Sequence, residues 1–268
     1  MLCNAGCVSR ADDGIRPDVY GKGKNIMPSV MSLLNKLKGK PPFCSVVIAA
    51  AGLSKRMSGD DKLFLDINGK PALLHTLMAF QNVYLVNEII VVARPEMFER
   101  IGELCRRYEI DKVTKIMTGG ETRLESVMNG VLAASKSAKI VAIHDGARPC
   151  VDICVIEQAI TATSKYHAVA PGIPVISTIK RVENGTVLET VDRDGLFEIQ
   201  TPQVFTMDII KAALKNAIDK SAKITDDCMA VELMGIPVHI TEGSLSNIKL
   251  TTSEDIATAE MILNQRKM

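Results

Sequence analysis

From Ser45 onward the chain alternates between two hydrophobic rhythms. Ser45–Ala51 (SVVIAAA) is a continuous apolar run, the pattern of a strand buried on both faces of a parallel sheet. Pro71 then opens a stretch with Leu73, Leu74, Leu77 and Met78 at helical spacing, which predicts an amphipathic helix. Glu88–Ala93 predicts a second strand, Glu96–Tyr108 a helix and Lys112–Met117 a short strand. Thr122-x-x-Glu125 has the form of a capping box and predicts that a helix starts there. Lys139–His144 reads as another buried strand, Asp152–Tyr166 as a helix and Ala168–Ile173 as a strand.

The rhythm changes at Pro174. Ser177–Val182 and Thr186–Val191 flank Asn184-Gly185, a strong short hairpin signal. Residues 174–195 therefore read as a β-arm inserted into the α/β pattern. Beyond it, a strand is expected at Phe197–Gln200 and helices near Met207–Lys220 and Asp226–Met234. Strands at Val238–Glu242 and Ile248–Leu250 and a helix from about Ser253 complete the reading. Strands alternating with helices imply a single doubly wound, mostly parallel sheet with right-handed crossovers. The expected division is a domain over residues 44–268 preceded by an extension over residues 1–43.

Composition sharpens this picture only after the chain is divided. The 268 residues carry 32 Lys+Arg and 31 Asp+Glu, a net charge of +1, which speaks against a general nucleic-acid binder. The first 43 residues hold seven cations and three acids, so the domain beyond them is itself net acidic. No apolar run approaches the roughly 18–20 residues of a membrane helix, and the N-terminus lacks the apolar stretch of a secretory signal. Seven scattered cysteines, without a disulfide-framework spacing, suggest reduced thiols in the cytoplasm.

In a doubly wound sheet, ligands bind beyond the carboxyl ends of the strands. The segments after the predicted strands are Ala50–Met57, Gly119–Arg123, Asp145–Arg148, Gln200–Gln203 and Asn247–Thr251. Small residues, cations, hydroxyls and one carboxylate thus gather at one rim, a composition suited to phosphates and a metal ion. The first loop lacks both G-x-G-x-x-G and the G-K-[ST] ending of a Walker A loop. Its small residues still let the backbone approach a triphosphate, with Arg56 and Lys62 to neutralise charge. His144 is expected to point away from Asp145, and Asp226-Asp227 to form a helix N-terminus.

The pattern A-A-G-x-S-x-R-M, with D-K-x-F-L-x-I-x-G-K-P-x-L-x-H-T-L after it at Asp61–Leu77, resembles the sugar-phosphate nucleotidyltransferases. H-D-G-A-R-P at 144–149, P-V-x-x-T-I-K-R at 174–181 and T-V-D-R-D-G-L at 190–196 come next in order. T-P-Q-V-F at 201–205, I-T-D-D at 224–227 and N-I-K-L-T-T at 247–252 complete the series. Together they closely resemble the 2-C-methyl-D-erythritol 4-phosphate cytidylyltransferase family of the non-mevalonate isoprenoid pathway, over about Ser45 to Arg266.

The resemblance implies a Rossmann-like fold, a homodimer held by the β-arm, and CTP with Mg²⁺ or another divalent cation as cofactor. It places Ala50, Ala51 and Gly52 along CTP, with Arg56 and Lys62 on its phosphates. Gly119, Glu121, Arg123 and Ser126 fall beside the cytosine and ribose, and Asp145 on the metal side. Arg148, Thr178, Thr201, Thr225 and Lys249 face the acceptor phosphate, and Arg193 reaches a neighbouring subunit's acceptor from the arm.

Three departures stand out: Ser54 where many members have glycine, Asp61-Lys62-Leu63 for the usual P-K-Q, and Ser177 for the acid before Thr178. The competing readings are cytidylyl transfer to another acceptor, such as ribitol 5-phosphate or the molybdenum cofactor, and a non-catalytic nucleotide-binding domain.

Overall fold

Three strands are buried along almost their whole length: β1 (Cys44–Ala49), β4 (Glu88–Ala93) and β6 (Ile140–Asp145). Burial on both faces is what their continuous apolar runs demand. The computed structural model describes residues 41–52 and 62–266. Most of the expected extension, and with it Ser54, Arg56 and Asp61, lies outside the described residues. Residues 42–268 form one compact unit.

β1 pairs in parallel with β4 on one side and β6 on the other, and β5 (Val113–Thr118) continues beyond β4. The chain therefore moves outward through β1, β4 and β5, then returns to the far side of β1 with β6. That reversal makes a topological switch point between β1 and β6, where the loops leaving two neighbouring strands diverge and open a crevice. β11 (Gln203–Thr206) runs antiparallel beside β6, next to β7 (Ala168–Pro174), and β12 (His239–Glu242) adds in parallel to the other edge of β7. β10 (Phe197–Ile199) runs antiparallel to the end of β7, and a cis Thr201–Pro202 peptide separates it from β11. Two very short strands, β2 (Asp66–Ile67) and β3 (Lys70–Pro71), pair as a separate hairpin.

Side chains alternate across each strand, and this places helices in two layers. Val47, Val92, Val141, Ile143 and Phe205 face one layer, covered by α3 (Arg123–Ala133) and α5 (Met207–Asp219). His144 points the opposite way, where Phe80 of α1 (Ala72–Gln81) meets its ring edge-on at 4.9 Å. α4 (Ile153–Tyr166) contacts α1 on that side. Each fully buried Leu, Ile or Phe in these layers contributes about 1.5–3 kcal/mol. α2 (Phe98–Arg107) contacts β5, α6 (Asp227–Glu232) packs on α5, and α7 (Glu254–Gln265) is the last described helix.

The arm is a two-residue hairpin of β8 (Ile179–Glu183) and β9 (Thr186–Val191). Asn184 and Gly185 have φ of 48° and 79°, the two positive angles of a type I′ turn. Arg181 pairs across the strands with Glu189 at 2.6 Å.

Two expectations fail. Gln203–Thr206 is a strand that the sequence reading leaves in a loop, because Pro202 interrupts the apolar run before Val204 and Phe205. Ile248–Leu250 is not a strand. Its backbone bonds to loops instead: Leu250 N–H donates to Ala147 O at 2.9 Å, and Leu250 O accepts from Lys62 Nζ at 3.3 Å.

Candidate active site at the carboxyl edge of the sheet

Asp145 ends β6 in register with Ala49, the last residue of β1, so its carboxylate stands at the switch point. The alternation that turns Val141 and Ile143 towards α3 turns Asp145 the same way. Lys249 Nζ lies 2.8 Å from its Oδ2, Arg148 Nε 3.6 Å, and Arg123 Nη2 3.7 Å from Oδ1. Burial alone would raise the pKa of this 8%-exposed carboxyl. Lys249, then Arg123 and Arg148, outweigh that and hold it well below the usual carboxylate range.

A second carboxylate fixes Arg123. Its guanidinium donates to both oxygens of the fully buried Asp227 at 2.9 and 2.7 Å. Burial pushes the Asp227 carboxyl up, and the bidentate guanidinium works against that shift. Arg123 arrives there because it is the first residue of α3. Thr122 caps that helix in a complete capping box: its Oγ1 accepts from Glu125 N–H at 3.1 Å, and Glu125 Oε2 accepts from Thr122 N–H at 3.0 Å. Asp226 caps α6 as the sequence implies, accepting from Met229 N–H at 2.9 Å, while its neighbour Asp227 turns into the site.

His144 and Thr201 hold Asp145 from behind. Thr201 Oγ1 accepts from the Asp145 N–H at 3.2 Å and lies 2.9 Å from His144 Nδ1. His144 Nε2 is 3.5 Å from Arg148 O. These contacts suit a neutral imidazole with its proton on Nε2, and burial pushes its pKa down to about 3. The Thr201 hydroxyl is thus directed to the β6 backbone. Asn247 joins the same network, with Nδ2 donating to Thr201 O at 2.8 Å and its own carbonyl accepting from Arg148 Nη1 at 2.6 Å.

In front of Asp145 opens a cleft of about 540 Å³. Ala50, Ala51, Gly52, Lys62, Glu121, Arg123, Ser126, Asp145 and Lys249 all line it, from widely separated stretches of sequence. Gly119 supports it from below. A Cβ there would sit 2.6 Å from Ala51 Cβ and 2.7 Å from Ser126 Oγ, so only glycine lets the two loops meet. Ser126 is itself buried and ties that loop, accepting from Gly120 N–H at 3.0 Å and donating to Thr122 O at 2.8 Å.

Three predicted residues stand apart from the cleft. Thr178 and Arg193 are exposed on the arm, where Arg193 donates to Ile176 O, and Thr225 is exposed ahead of α6. One cleft residue escaped the sequence reading: Arg94, immediately after β4. Applying the carboxyl-end rule to that strand as well would have found it.

The arrangement holds several cations around a single anchored carboxylate, beside a turn of small residues that a polyphosphate could approach. Comparison with known proteins agrees in kind. The family model for 2-C-methyl-D-erythritol 4-phosphate cytidylyltransferase matches residues 44–265. A protein of that name from Halalkalibacterium halodurans is 43% identical over 224 residues, covering 83% of this chain and 98% of the relative. Its counterpart from Caldanaerobacter subterraneus is 44% identical, covering 82% and 99%. Among solved structures, the 4-diphosphocytidyl-2C-methyl-D-erythritol synthase of Anaerococcus prevotii superposes with a TM-score of 0.74 at 30% identity, covering 84% of this chain and 97% of that one. The Thermus thermophilus cytidylyltransferase gives 0.69 at 30%, covering 82% and 98%.

Proposed function

Because the chain belongs to the 2-C-methyl-D-erythritol 4-phosphate cytidylyltransferase family, we propose that its Asp145 cleft is where the transfer takes place. The reaction moves the cytidylyl group of CTP onto 2-C-methyl-D-erythritol 4-phosphate, releasing 4-diphosphocytidyl-2-C-methyl-D-erythritol and pyrophosphate. The observation that carries the site assignment is the ionised Asp145 at the switch point, ringed by Lys249, Arg148 and Arg123.

The acceptor phosphate attacks the α-phosphorus of CTP in line. A new P–O bond forms there as the bond to the bridging oxygen of the β-phosphate breaks. The attacking oxygen is already anionic, so no protein nucleophile or base is required. The task of the chain is to hold two polyanions together and to offset the charge crowding between them.

Ala50, Ala51 and Gly52 leave room for the polyphosphate, and Lys62 supplies charge beside it, with Arg56 as a second candidate. Gly119, Glu121, Arg123 and Ser126 form the nucleoside end. Lys249 and Arg148 face the acceptor phosphate; Thr225, which lies ahead of α6 and apart from the cleft, is assigned there by the family pattern alone. Thr201 acts through Asp145 by fixing its backbone. Asp145 also fits a divalent cation: Mg²⁺ takes one or two carboxylates together with substrate phosphates, and this carboxylate is ionised with one edge in the cleft. When bound, Mg²⁺ would neutralise charge on the phosphoryl oxygens.

A homodimer through the β-arm belongs to the same proposal, with Thr178 and Arg193 delivered to the partner's acceptor site. Supporting it, Ile176, Val182, Val187 and Leu188 are 53–74% exposed on this hairpin, more apolar surface than an arm left in water would carry. CTP as donor and the unpaired cysteines of the described residues suit a cytoplasmic enzyme.

Replacing Asp145 tests the assignment. Asp145→Asn keeps the shape and removes the charge, and should lower kcat by about two to three orders of magnitude. CTP affinity should change far less. Turnover close to wild type would refute the assignment.

A further inference from the structure

Arg266 follows α7 directly and lies beyond the last of the family motifs. Its guanidinium reaches two stretches of chain that are far apart in sequence. Nη2 donates to Cys150 O at 2.9 Å and to Ser246 Oγ at 2.9 Å, and Nη1 donates to Val151 O at 3.4 Å. Asp152 Oδ2 lies 3.6 Å from Nη2, but its side chain is 41% exposed and water screens such a pair. The carbonyl and hydroxyl contacts are therefore what the side chain is placed to make.

Those two stretches carry the acceptor-side cations. Residues 147–151 follow β6 and include Arg148, and residues 246–250 include Lys249. Both cations reach Asp145 Oδ2, Lys249 through Nζ at 2.8 Å and Arg148 through Nε at 3.6 Å. The contacts between the stretches run in opposite order along them. Leu250 N–H donates to Ala147 O at 2.9 Å at one end, and Arg148 Nη1 donates to Asn247 O at 2.6 Å between. Arg266 closes the other end, joining Cys150 and Val151 to Ser246.

These three ties differ in what they fix. The first holds the end next to β6. The second uses the same side chain that must also reach Asp145. Arg266 constrains the far end, where the first stretch has only a weak thiol contact to α7, Cys150 Sγ to Ala259 O at 3.7 Å. The second stretch has a separate anchor, because Asn247 Nδ2 donates to Thr201 O at 2.8 Å. A planar guanidinium with donors at fixed angles can hold two stretches at a set spacing, which the single point charge of lysine cannot do as well.

We propose that Arg266 is a positioning residue for the acceptor half of the site. It sets the spacing between the stretches that bear Arg148 and Lys249, and through them the spacing of the two cations offered to the acceptor phosphate. It does not line the cleft and touches no reacting atom. This inference rests on the placement of the acceptor phosphate at Arg148 and Lys249 made above.

The test is steady-state kinetics of the full chain with CTP and 2-C-methyl-D-erythritol 4-phosphate, with CTP affinity measured by calorimetry. Arg266→Gln should lower kcat/KM for the acceptor by about ten- to a hundredfold, as misplaced binding groups do, while CTP affinity stays near wild type. Arg266→Lys should recover only part of the loss. Ser246→Ala should show a smaller loss of the same kind, and carries the comparison if Arg266→Gln does not fold. The double variant should lose no more than Arg266→Gln alone, because both changes remove one bridge. An equal loss of CTP affinity would mean general loosening and overturn the proposal. So would wild-type kinetics in Arg266→Gln, full recovery in Arg266→Lys, or losses that add in the double variant. Arg148→Gln, measured alongside, separates the two readings: an unchanged kcat/KM for the acceptor there would instead remove the acceptor placement on which the proposal stands.

Discussion

Asp145 is held both by residues that face the cleft and by residues packed behind it. Its charge is set by Lys249, Arg123 and Arg148 in front, and its backbone by Thr201 and His144 behind. His144 gives this arrangement a pH signature. Burial depresses its pKa to about 3, against 6.5 unperturbed, so between those values the folded chain binds fewer protons than the unfolded one. Stability is then full above pH 6.5 and falls as the pH drops, by up to about 1.4 kcal/mol per pH unit from this group. Asp145 adds a loss of the same sign, confined to pH below its ordinary value of 3.8. His239 is also shifted down, by burial and then by Lys165, so the His144 share must be read by difference. Urea melts at pH 7 and 5 should show a smaller loss of stability in His144→Gln than in wild type. An equal loss would place the pH dependence elsewhere.

At this scale the sequence was informative where a residue's role depends on its own strand end. Asp145 and Arg123 could be found by reading the residues at the end of each strand and at the start of each helix, and Lys249 only through the N-I-K-L-T-T stretch that holds it. Asp227 could not. It stands behind an ordinary helix cap, Asp226, and its partner Arg123 is 104 residues away. Leu63, which replaces a polar residue of the usual motif, is only 3% exposed and packs near Gly146 at the cleft floor. The substitution exchanges a polar side chain for a core contact.

Among elements, the arm makes the strongest claim. Asn184-Gly185 predicted its turn, and the structure adds that both strands project with little cover of their own. Arg193 sits in the return from that arm, away from the cleft of its own chain. In a dimer with exchanged arms, Arg193→Ala should reduce turnover by about a hundredfold or more while CTP affinity stays near wild type. A comparable loss of CTP binding would argue against that placement, as would a monomer in sedimentation. The two misread elements have a shared physical origin. β11 is an antiparallel strand of four residues behind a proline, too short for periodicity to register. Residues 247–252 satisfy their backbone through side chains and loops, including Asp255, which accepts from Thr251 and Thr252 N–H at 2.7 and 2.8 Å. Neither arrangement leaves a period-two or period-3.6 trace.

For the whole molecule, net charge says little, because the useful charge is local. The chain totals +1, yet Lys62, Arg94, Arg123 and Lys249 line one cleft, and Arg148 joins Arg123 and Lys249 around its ionised Asp145. Sheet order makes this possible by reversing direction between β1 and β6, which brings the turn at 50–52 beside Asp145 from nearly a hundred residues away. Among the described residues, no helix is long and apolar enough to cross a membrane. Two small phosphorylated ligands are therefore expected to meet at that edge. The most direct test is pyrophosphate release from CTP and Mg²⁺ against a panel of polyol phosphates. Release should be fast with 2-C-methyl-D-erythritol 4-phosphate, far slower with ribitol 5-phosphate, and nearly abolished in Asp145→Asn. Release with ribitol 5-phosphate alone, or with no acceptor despite tight CTP binding, would contradict it.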